Sequence, residues 1–234
     1  MKLITWNCQG AFRKKAEIIL ELQPDILIVQ ECEHPDKLVF NAKKPNDLLW
    51  FGDYKHKALG IFSFSNLKFE LLFEHNPDFK TIVPILVSGG SIDFLLFAIW
   101  ANNTQDRHNK YIEQVWRAVN HYDQILNKSS ILIGDFNSNE IWDRKHRKGN
   151  HSSVVDFLSE KNIHSIYHKH FNEGQSEEIQ PTFFLQRNKI KSYHIDYCFA
   201  SQNIIDKIQD FEIGGFEDWI TYSDHLPLII NIDI

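Results

Sequence analysis

The stretch Ile131-Leu132-Ile133-Gly134-Asp135-Phe136-Asn137 decides how the rest of the chain is interpreted. Its apolar run, flanked by Ser130 and Gly134, predicts a buried central strand, and Asp135 and Asn137 follow where that strand ends. In open α/β architectures, ligands bind at strand ends, where the backbone is rigid and side chains meet solvent. Turn preferences alone would make this motif an ordinary turn. A functional site is favoured because other apolar runs of the chain end in the same way.

The beginning of the chain has the same pattern twice. Residues 2–6 predict a strand that ends at Asn7, and residues 25–31 predict a second strand that ends at Glu31. A helix predicted from about 13 to 22 lies between them. This is a β-α-β unit, so the two strands should be parallel and should end at the same rim of a sheet.

The middle of the chain has strands without intervening helices, which indicates an antiparallel meander. Its predicted strands are 48–51, 59–64, 69–73, 81–87 and 91–100. A long amphipathic helix capped by Asp106 then leads into the strand that bears Asp135, and a second helix follows. Four further strands are predicted, at 183–185, 193–200, 211–213 and 228–232. This order is compatible with two similar α/β halves packed sheet on sheet.

Length and composition limit the class of protein. With 234 residues and 43% hydrophobic composition, the chain fits one domain, residues 1–234, that buries about 70% of its unfolded surface. No apolar stretch approaches the ~20 residues that span a bilayer. The first residues lack a signal-peptide core, so we expect a cytoplasmic protein with no membrane association and no obligate protein partner. The three cysteines have no C-x-x-C spacing, which favours a reducing compartment.

The net charge of −6 argues against a protein that coats nucleic acid by bulk electrostatics. A polyanionic substrate would therefore need a bound cation or a local basic patch. The densest basic run is 144–148, in which Arg144 and Arg147 are candidate substrate contacts. A solvated loop explains the run equally well. Trp142, just before it, either stacks on a base or packs under the loop.

The stretch 193–199 alternates, so Asp196 should share a face with His194 and Cys198. A carboxylate on an interior strand needs a partner. The predicted partner is His225, just before the final strand. If that strand runs antiparallel to those ending at Glu31 and Asp135, His225 lies on the same rim.

The residues at strand ends form a set rich in hard oxygen donors. They are Asn7, Glu31, Asp135, Asn137, Asp196, Asp224 and His225. The set has no Ser or Cys nucleophile beside a base, no Gly-rich phosphate loop and no Cys/His zinc spacing. Carboxylates without thiolates suit Mg²⁺ or Mn²⁺. A hard cation, an Asp-His pair and two carboxamides are what hydrolysis of a phosphate ester requires.

Five ordered motifs resemble those of the endonuclease/exonuclease/phosphatase superfamily, which has the DNase-I-like fold. They are Thr5-Trp6-Asn7, Gln30-Glu31, Gly134-Asp135-Phe136-Asn137, His194-Ile195-Asp196-Tyr197 and Ser223-Asp224-His225. The resemblance spans nearly the whole chain. It implies a four-layer α/β sandwich, with two mixed β-sheets packed face to face and helices outside, and metal-dependent phosphoester hydrolysis.

The resemblance also implies a metal site. Glu31 would ligate Mg²⁺ or Mn²⁺, with Asn7 and Asp224 close to the ion. Asn7 thereby belongs to both the metal site and the catalytic set.

For the reaction itself, the resemblance implies four further roles. Asp135 would orient or deprotonate the attacking water, and Asn137 would hold the phosphate. His225, oriented by Asp196, would donate to a phosphoryl oxygen. Whether Asp135 or His225 is the base stays open.

Two departures from related patterns bear on the substrate. Where members resembling abasic-site endonucleases have Tyr-x-Pro-Asn, this chain has Trp100-Ala101-Asn102-Asn103. The Trp100 indole N–H can donate to a phosphate but cannot become a phenolate. Asn103 remains a candidate phosphate contact, and Tyr111 matches a helix tyrosine near that site. The motifs of inositol polyphosphate phosphatases are absent, which argues against phosphoinositide chemistry.

Two further stretches have open interpretations. Thr182 either starts a strand or lies close to the site, as a Thr-aromatic pair does in related nucleases. His164, His168 and His170 lack cysteine or carboxylate support and are interpreted as polar surface.

Together these features predict a metal-dependent phosphodiesterase, a nuclease acting on DNA or RNA. The alternatives are a phosphatase or phosphodiesterase for a small nucleotide or a lipid head group, and a catalytically silent binding module on the same fold.

Overall fold

A computed structural model describes residues 1–103, 110–127, 129–145 and 147–234. The strands, in chain order, are β1 (Lys2–Asn7), β2 (Ile26–Cys32), β3 (Asp47–Tyr54), β4 (Lys57–Ser63), β5 (Lys68–Leu71), β6 (Ile82–Ser88), β7 (Phe94–Trp100), β8 (Ser130–Asp135), β9 (Ile163–Ser165), β10 (Phe183–Phe184), β11 (Ser192–Tyr193), β12 (Asp196–Ser201), β13 (Ile208–Ile213) and β14 (Leu228–Ile232). The α-helices are α1 (Ala16–Leu20), α2 (Ile112–His121), α3 (His151–Glu160), α4 (Ile166–Phe171), α5 (Gln202–Ile205) and α6 (Phe216–Trp219). The predicted cap Asp106 lies outside the described residues.

The strands form two mixed six-stranded sheets and one small hairpin. The first sheet has the order β13-β14-β1-β2-β4-β3, the second has the order β5-β6-β7-β8-β12-β9, and β10 pairs with β11. Strands β1 and β2 are parallel, as are β7 and β8, and the remaining pairs are antiparallel. The predicted parallel pairing of the first two long strands is therefore confirmed.

The two sheets pack against each other around a shared apolar core. Leu3 and Ile28 enter this core from the first sheet, and Ile133 and Cys198 enter it from the second. Helices cover the outer faces: α1 and α6 pack on the first sheet, and α2 and α3 pack on the second. The result is the predicted four-layer α/β sandwich.

Strand β8 is buried along its whole length, as its apolar sequence predicts. Ile131 and Ile133 face the core between the sheets, while Leu132 faces the helix layer. Gly134 has φ of 141°, and a Cβ at this position would lie 1.9 Å from the carbonyl oxygen of Ile99. Glycine is needed here because it lets β7 approach β8 just before Asp135.

The predicted meander is divided between the two sheets. Strands β3 and β4 belong to the first sheet and β5 to β7 belong to the second. The chain crosses over after Ser63, whose hydroxyl donates to the carbonyl oxygen of Leu67 at 2.8 Å. Leu67 then enters the core that the two sheets share. The prediction of one continuous meander was wrong because alternation within strands does not indicate which sheet a strand joins.

Among the described residues, no helix combines the length and the apolar character that crossing a membrane would require.

Candidate active site

The two sheets present their polar strand ends at one shared rim. Asn7 ends β1 in the first sheet, and Asp135 ends β8 in the second. The Asn7 amide Nδ2 donates to Asp135 Oδ2 at 3.0 Å and so joins the sheets at this point. Asp196 begins β12 and is paired in register with Asp135. One potential ligand atom from each of Asp135, Asp196 and His225 lies within 4.8 Å of the others.

Asp135 is fully buried and held by three hydrogen bonds. Its Oδ2 accepts from the side-chain amides of Asn7 and Asn137, at 3.0 and 2.9 Å, and its Oδ1 accepts from the backbone N–H of Asn137 at 2.8 Å. Burial and the nearby charge of Asp196 raise the pKa of Asp135 to about 7, although His225 and the hydrogen bonds oppose the rise. A carboxylate with a pKa near neutral is suited to take a proton from water.

Asn137 has φ of 47°, in the left-handed region that asparagine tolerates better than most residues. This turn brings its side-chain amide back toward Asp135 and within 3.0 Å of the carbonyl oxygen of Ala101. The residue as a whole is partly buried.

His225 pairs with Asp196, as the sequence predicts. Its Nδ1 lies 2.9 Å from Asp196 Oδ2, and its backbone N–H donates to the hydroxyl of Ser223 at 3.1 Å. Burial alone would lower the pKa of His225, but the charges of Asp196, Asp135 and Asp224 raise it to about 9. The ring is therefore cationic at neutral pH, and Nε2–H is the donor left for a substrate oxygen.

Asp196 is itself oriented by Thr182. The Thr182 hydroxyl donates to Asp196 Oδ2 at 2.7 Å and accepts the backbone N–H groups of Ile195 and Asp196. Thr182 is fully buried. The residue thus lies at the site, and it also precedes β10 directly.

Glu31 is placed by a bulge in β2. The pairing between β2 and β4 shifts between Gln30 and Cys32, and Glu31 between them has φ of 61°. Bulges near active sites re-aim a side chain out of the ladder. The Glu31 carboxylate lies 2.8 Å from Lys57 Nζ.

Asp224 provides a second carboxylate close to Glu31. Burial raises the pKa of Asp224, and the charge of Glu31 raises it further. Asp224 Oδ2 accepts from Gln9 Nε2 at 2.7 Å, and Asn7 Oδ1 accepts from the Gln9 backbone N–H at 3.0 Å. Two neighbouring carboxylates, with an amide oxygen close by, fit a hard divalent cation such as Mg²⁺ or Mn²⁺.

The predicted substrate contacts fall into two groups. Tyr111, Arg144 and Arg147 line one cavity of about 360 Å³, and Asn137 forms part of its wall. Trp100 and Asn103 do not line it. Trp100 is largely buried in the core between the sheets, with Lys57 Nζ 5.6 Å from its ring centre, whereas Asn103 is exposed.

A buried polar network beside the site was missed at the sequence level. His168 Nε2 lies 3.0 Å from Glu178 Oε1, and Asn139 Nδ2 donates to Glu178 Oε2 at 3.1 Å. Burial alone would raise the pKa of Glu178, but hydrogen bonds from His168 and Asn139 lower it to about 2. The interpretation of His168 as surface was wrong because its carboxylate partner lies ten residues away, in a loop without periodicity. His170 is exposed, as expected.

Three further residues around the carboxylates had no sequence signal. Arg187 Nη2 donates to Gln9 Oε1 at 2.6 Å, and Gln9 in turn donates to Asp224. Lys57 pairs with Glu31 from the neighbouring strand. Each residue lies in a turn or at a strand start, where sequence spacing does not indicate the direction of the side chain.

Comparison with known proteins gives a family match over most of the chain. The family model described as Endonuclease/Exonuclease/phosphatase family matches residues 4–225. No curated protein matches the chain.

Solved structures share the fold over the whole length. A 3′-5′ exonuclease, NExo, from Neisseria meningitidis superposes with a TM-score of 0.71 at 20% identity, covering 100% of both chains. The endonuclease domain of TRAS1, a telomere-specific non-LTR retrotransposon, gives a TM-score of 0.68 at 19% identity, covering 100% of this chain and 98% of that one. A structure titled as the 3′ phosphatase NExo from Neisseria bound to a product DNA hairpin gives 0.69 at 20% identity, again covering 100% of both chains. At such identities the similarity establishes a common fold.

Proposed function

Because this chain belongs to the endonuclease/exonuclease/phosphatase family, we propose that it is a metal-dependent phosphodiesterase that hydrolyses DNA or RNA. One observation carries the proposal. A carboxylate with a raised pKa, Asp135, lies beside a cationic histidine, His225, at the rim where the two sheets meet. Hydrolysis of a phosphodiester needs one group that accepts a proton from water and one that donates a hydrogen bond to the phosphate.

In this proposal, Asp135 is the general base. It accepts a proton from water as the water oxygen attacks phosphorus. The bond from phosphorus to the leaving oxygen breaks, its electron pair stays on that oxygen, and the oxygen takes up a proton from solvent. His225 stays protonated and donates from Nε2–H to a non-bridging phosphoryl oxygen, which stabilises the charge that develops there. Asp196 and Thr182 hold the histidine ring in this orientation. Asn7 and Asn137 position Asp135. For the Asn137 amide to hold the phosphate as well, one of its N–H groups must leave the carbonyl oxygen of Ala101 or Asp135 Oδ2.

Glu31 and Asp224 are the proposed metal ligands, with Asn7 close to them. When Mg²⁺ or Mn²⁺ is bound, it supplies charge neutralisation at the phosphate and lowers the pKa of water. Lys57, which pairs with Glu31, must then give up that carboxylate or share it.

A nucleic-acid substrate is supported by charge and by the structural neighbours. Arg144 and Arg147 line a cavity that begins at Asn137, so the acidic protein has positive charge beside its proposed reaction centre. The neighbours described above include an exonuclease, a retrotransposon endonuclease and a phosphatase bound to a DNA hairpin. We extend that class of substrate to this chain.

The test is the turnover of labelled oligonucleotides by wild-type protein and by His225→Ala. We expect the substitution to lower kcat by about 10²- to 10⁴-fold, because the phosphoryl oxygen loses its charged donor. His170→Ala, which removes an exposed histidine, is the matched control and should cleave normally. Equal rates for His225→Ala and His170→Ala would refute the mechanism.

A further inference from the structure

The cavity beside Asn137 lies next to the proposed reaction centre. It opens between the loop that follows β8 and the residues at the start of α2, and its volume is about 360 Å³. Asn137 forms part of its wall, and the amide of Asn137 is 2.9 Å from Asp135 Oδ2. A group bound in the cavity is therefore directly adjacent to the phosphate that Asp135 and Asn137 would serve. The volume lies at the small end of the range for small-molecule sites, which runs from about 300 to 1,000 Å³.

Two large aromatic side chains are exposed in the walls of this cavity. Trp142 is 49% exposed and Tyr111 is 40% exposed, although an aromatic residue is ordinarily covered in a folded protein. Exposed aromatic side chains are the feature on which proteins stack single bases.

Hydrogen bonds hold the main chain at Trp142. It ends a short turn of 3₁₀ helix, Glu140–Trp142, which is capped by the side chain of Asn139 accepting from the Ile141 backbone N–H at 3.0 Å. The same Asn139 donates to the buried carboxylate of Glu178 at 3.1 Å. The buried polar network around Glu178 thus helps to hold the turn that carries Trp142.

A row of rings connects Trp142 with His225. The Trp142 ring lies 5.1 Å from that of Tyr193, Tyr193 stacks at 6.5 Å on Phe183, and Phe183 lies 4.7 Å from His225. All three aromatic residues are at least partly exposed. A row of aromatic rings therefore leads from Trp142 to His225.

The charged side chains of the cavity also suit a nucleotide. Arg144 and Arg147 line the same cavity as Trp142, and Arg147 also pairs with Glu113 there. Guanidinium groups recognise phosphate bidentately and also stack on bases. One aromatic wall, two arginines and asparagine amides suit a base and the phosphate attached to it.

We propose that this cavity is a nucleotide subsite, in which the base of one unpaired nucleotide of the substrate strand stacks on Trp142 while its phosphate meets Arg144 and Arg147. The inference rests on the proposed function and narrows it to strands with an unpaired nucleotide beside the scissile phosphate. A base in a duplex would first have to leave its stack and its pair, at a cost in free energy that a single strand or a frayed end avoids.

The test compares Trp142→Ala with wild-type protein on a single-stranded oligonucleotide and on methyl p-nitrophenyl phosphate, a diester without a base. On the oligonucleotide we expect kcat/KM to fall about 5- to 150-fold, chiefly through KM, because the base no longer has a ring on which to stack. On the base-free ester we expect no change, which also shows that the variant is folded. Trp142→Phe should retain most of the activity, and Phe73→Ala, which removes another exposed aromatic residue away from the cavity, should behave as wild type.

A second experiment identifies which nucleotide of the substrate places its base on Trp142. Single abasic tetrahydrofuran residues are placed in turn on either side of the scissile phosphate. At one position, wild-type kcat/KM should fall by the same factor as in Trp142→Ala, and Trp142→Ala should lose nothing more there. Equal losses in both proteins at every position would overturn the proposal.

The remaining outcomes separate the subsite from the proposed function. If wild-type protein hydrolyses the base-free ester and the oligonucleotide, but Trp142→Ala does so equally well, the subsite fails and the nuclease stands. If wild-type protein hydrolyses neither with Mg²⁺ or Mn²⁺, the proposed function itself fails. If a free nucleoside monophosphate ester is cleaved in preference to every oligonucleotide, the cavity serves a small nucleotide and the strand proposal is refuted.

Discussion

Glu31 combines an unfavourable backbone conformation with a position at the proposed metal site. A left-handed conformation costs a residue with a side chain roughly 1–2 kcal/mol, and Glu31 adopts it with φ of 61°. Such strain persists where the surrounding structure imposes it, and it concentrates at functional sites. Here the bulge of β2 directs the carboxylate toward Lys57 and the neighbourhood of Asp224.

Glu31→Gln should raise the Mg²⁺ concentration needed for half-maximal activity by at least about 10-fold, because a charged oxygen ligand becomes a neutral one. The measurement is the rate of oligonucleotide cleavage as a function of Mg²⁺ concentration. Glu160→Gln, which neutralises an exposed carboxylate on α3, is the control. Full activity of Glu31→Gln in limiting Mg²⁺ would remove Glu31 from the metal site.

His194 makes stability depend on pH. Burial lowers its pKa to about 4, against the charges of Glu178 and Asp196 and with a further lowering from His168. The unfolded chain takes up this proton near pH 6.5. The neutral His194 side chain therefore contributes fully to the free energy of unfolding above pH 6.5, and this contribution is lost as pH falls toward 4. The total loss is on the order of 3 kcal/mol, of which about 2 kcal/mol is lost by pH 5.

Urea unfolding of wild-type protein and His194→Gln at pH 7 and pH 5 tests this assignment. The variant should lose less stability than wild type over that interval, because it has no buried imidazole to protonate. His170→Gln, in which an exposed histidine is changed, should follow wild type. Parallel losses in all three proteins would show that His194 does not titrate as described.

At the scale of single residues, the sequence predicted the site residues at strand ends but not the side chains that contact them. Asp135 ends one buried strand, Asp196 begins another, and His225 lies shortly before a third, so the apolar runs indicate where all three meet. Lys57, Gln9 and Arg187 surround the carboxylates from turns and a strand start. Nothing in local spacing gives the direction of such side chains, since it depends on how the two sheets are placed.

At the scale of elements, β8 depends on Gly134. The strand must lie close to β7 while the chain turns toward Asp135, and a Cβ would meet the Ile99 carbonyl oxygen at 1.9 Å. No rotamer relieves a contact between a Cβ and backbone, so one of the two central strands would have to move. The Gly-Asp-Phe-Asn motif is thus structural at its first position, and its second position carries the proposed general base.

Gly134→Ala should lower the free energy of unfolding by about 3 kcal/mol or more, from overpacking and a strained φ together. Gly10→Ala separates the two effects, because Gly10 has φ of 72° but a Cβ added there would meet no atom within 4 Å. It should cost only about 1–2 kcal/mol. Urea unfolding measures both, and equal losses would show that the close approach of β7 and β8 carries no penalty.

Element prediction succeeded where burial on both faces left an unbroken apolar run, as in β2, β7 and β8. It was less successful in predicting which sheet a strand joins. The strands after Ser63 were assigned to one meander, yet β5 pairs with β6 in the other sheet. Which sheet a strand joins is decided by packing across the core, and a single strand's alternation does not encode it.

For the molecule as a whole, the question is how an acidic protein would hold a polyanion. The net charge is −6, and Arg144 and Arg147 line the cavity that Asn137 also lines. Both sheets place their polar ends at that same rim, so the charges that would act on substrate are local. The four-layer arrangement was implied by the family resemblance, and the order of β-α-β unit, strands and helices was compatible with two packed halves. The cavity depends on loops that no periodic pattern describes.

Changing Arg144, Lys145, Arg147 and Lys148 together to Gln should raise KM for long nucleic acids and flatten its dependence on salt. Removal of each phosphate contact should reduce the slope of log affinity against log salt by about 0.7–0.9. Lys43→Gln with Lys44→Gln removes an exposed basic pair from another loop and is the control. Unchanged hydrolysis of a long strand at every salt concentration would show that the run is a solvated loop.

The most direct test of the central claim is hydrolysis of end-labelled single-stranded, duplex and abasic-site DNA, and of RNA, with Mg²⁺ or Mn²⁺. EDTA and His225→Ala are the controls. We predict metal-dependent cleavage that EDTA abolishes and that His225→Ala slows by about 10²- to 10⁴-fold, fastest on strands with unpaired nucleotides. The fragment pattern will separate endonucleolytic from exonucleolytic action. Absence of cleavage of every polymer by folded protein, or an undiminished rate in His225→Ala, would contradict this claim.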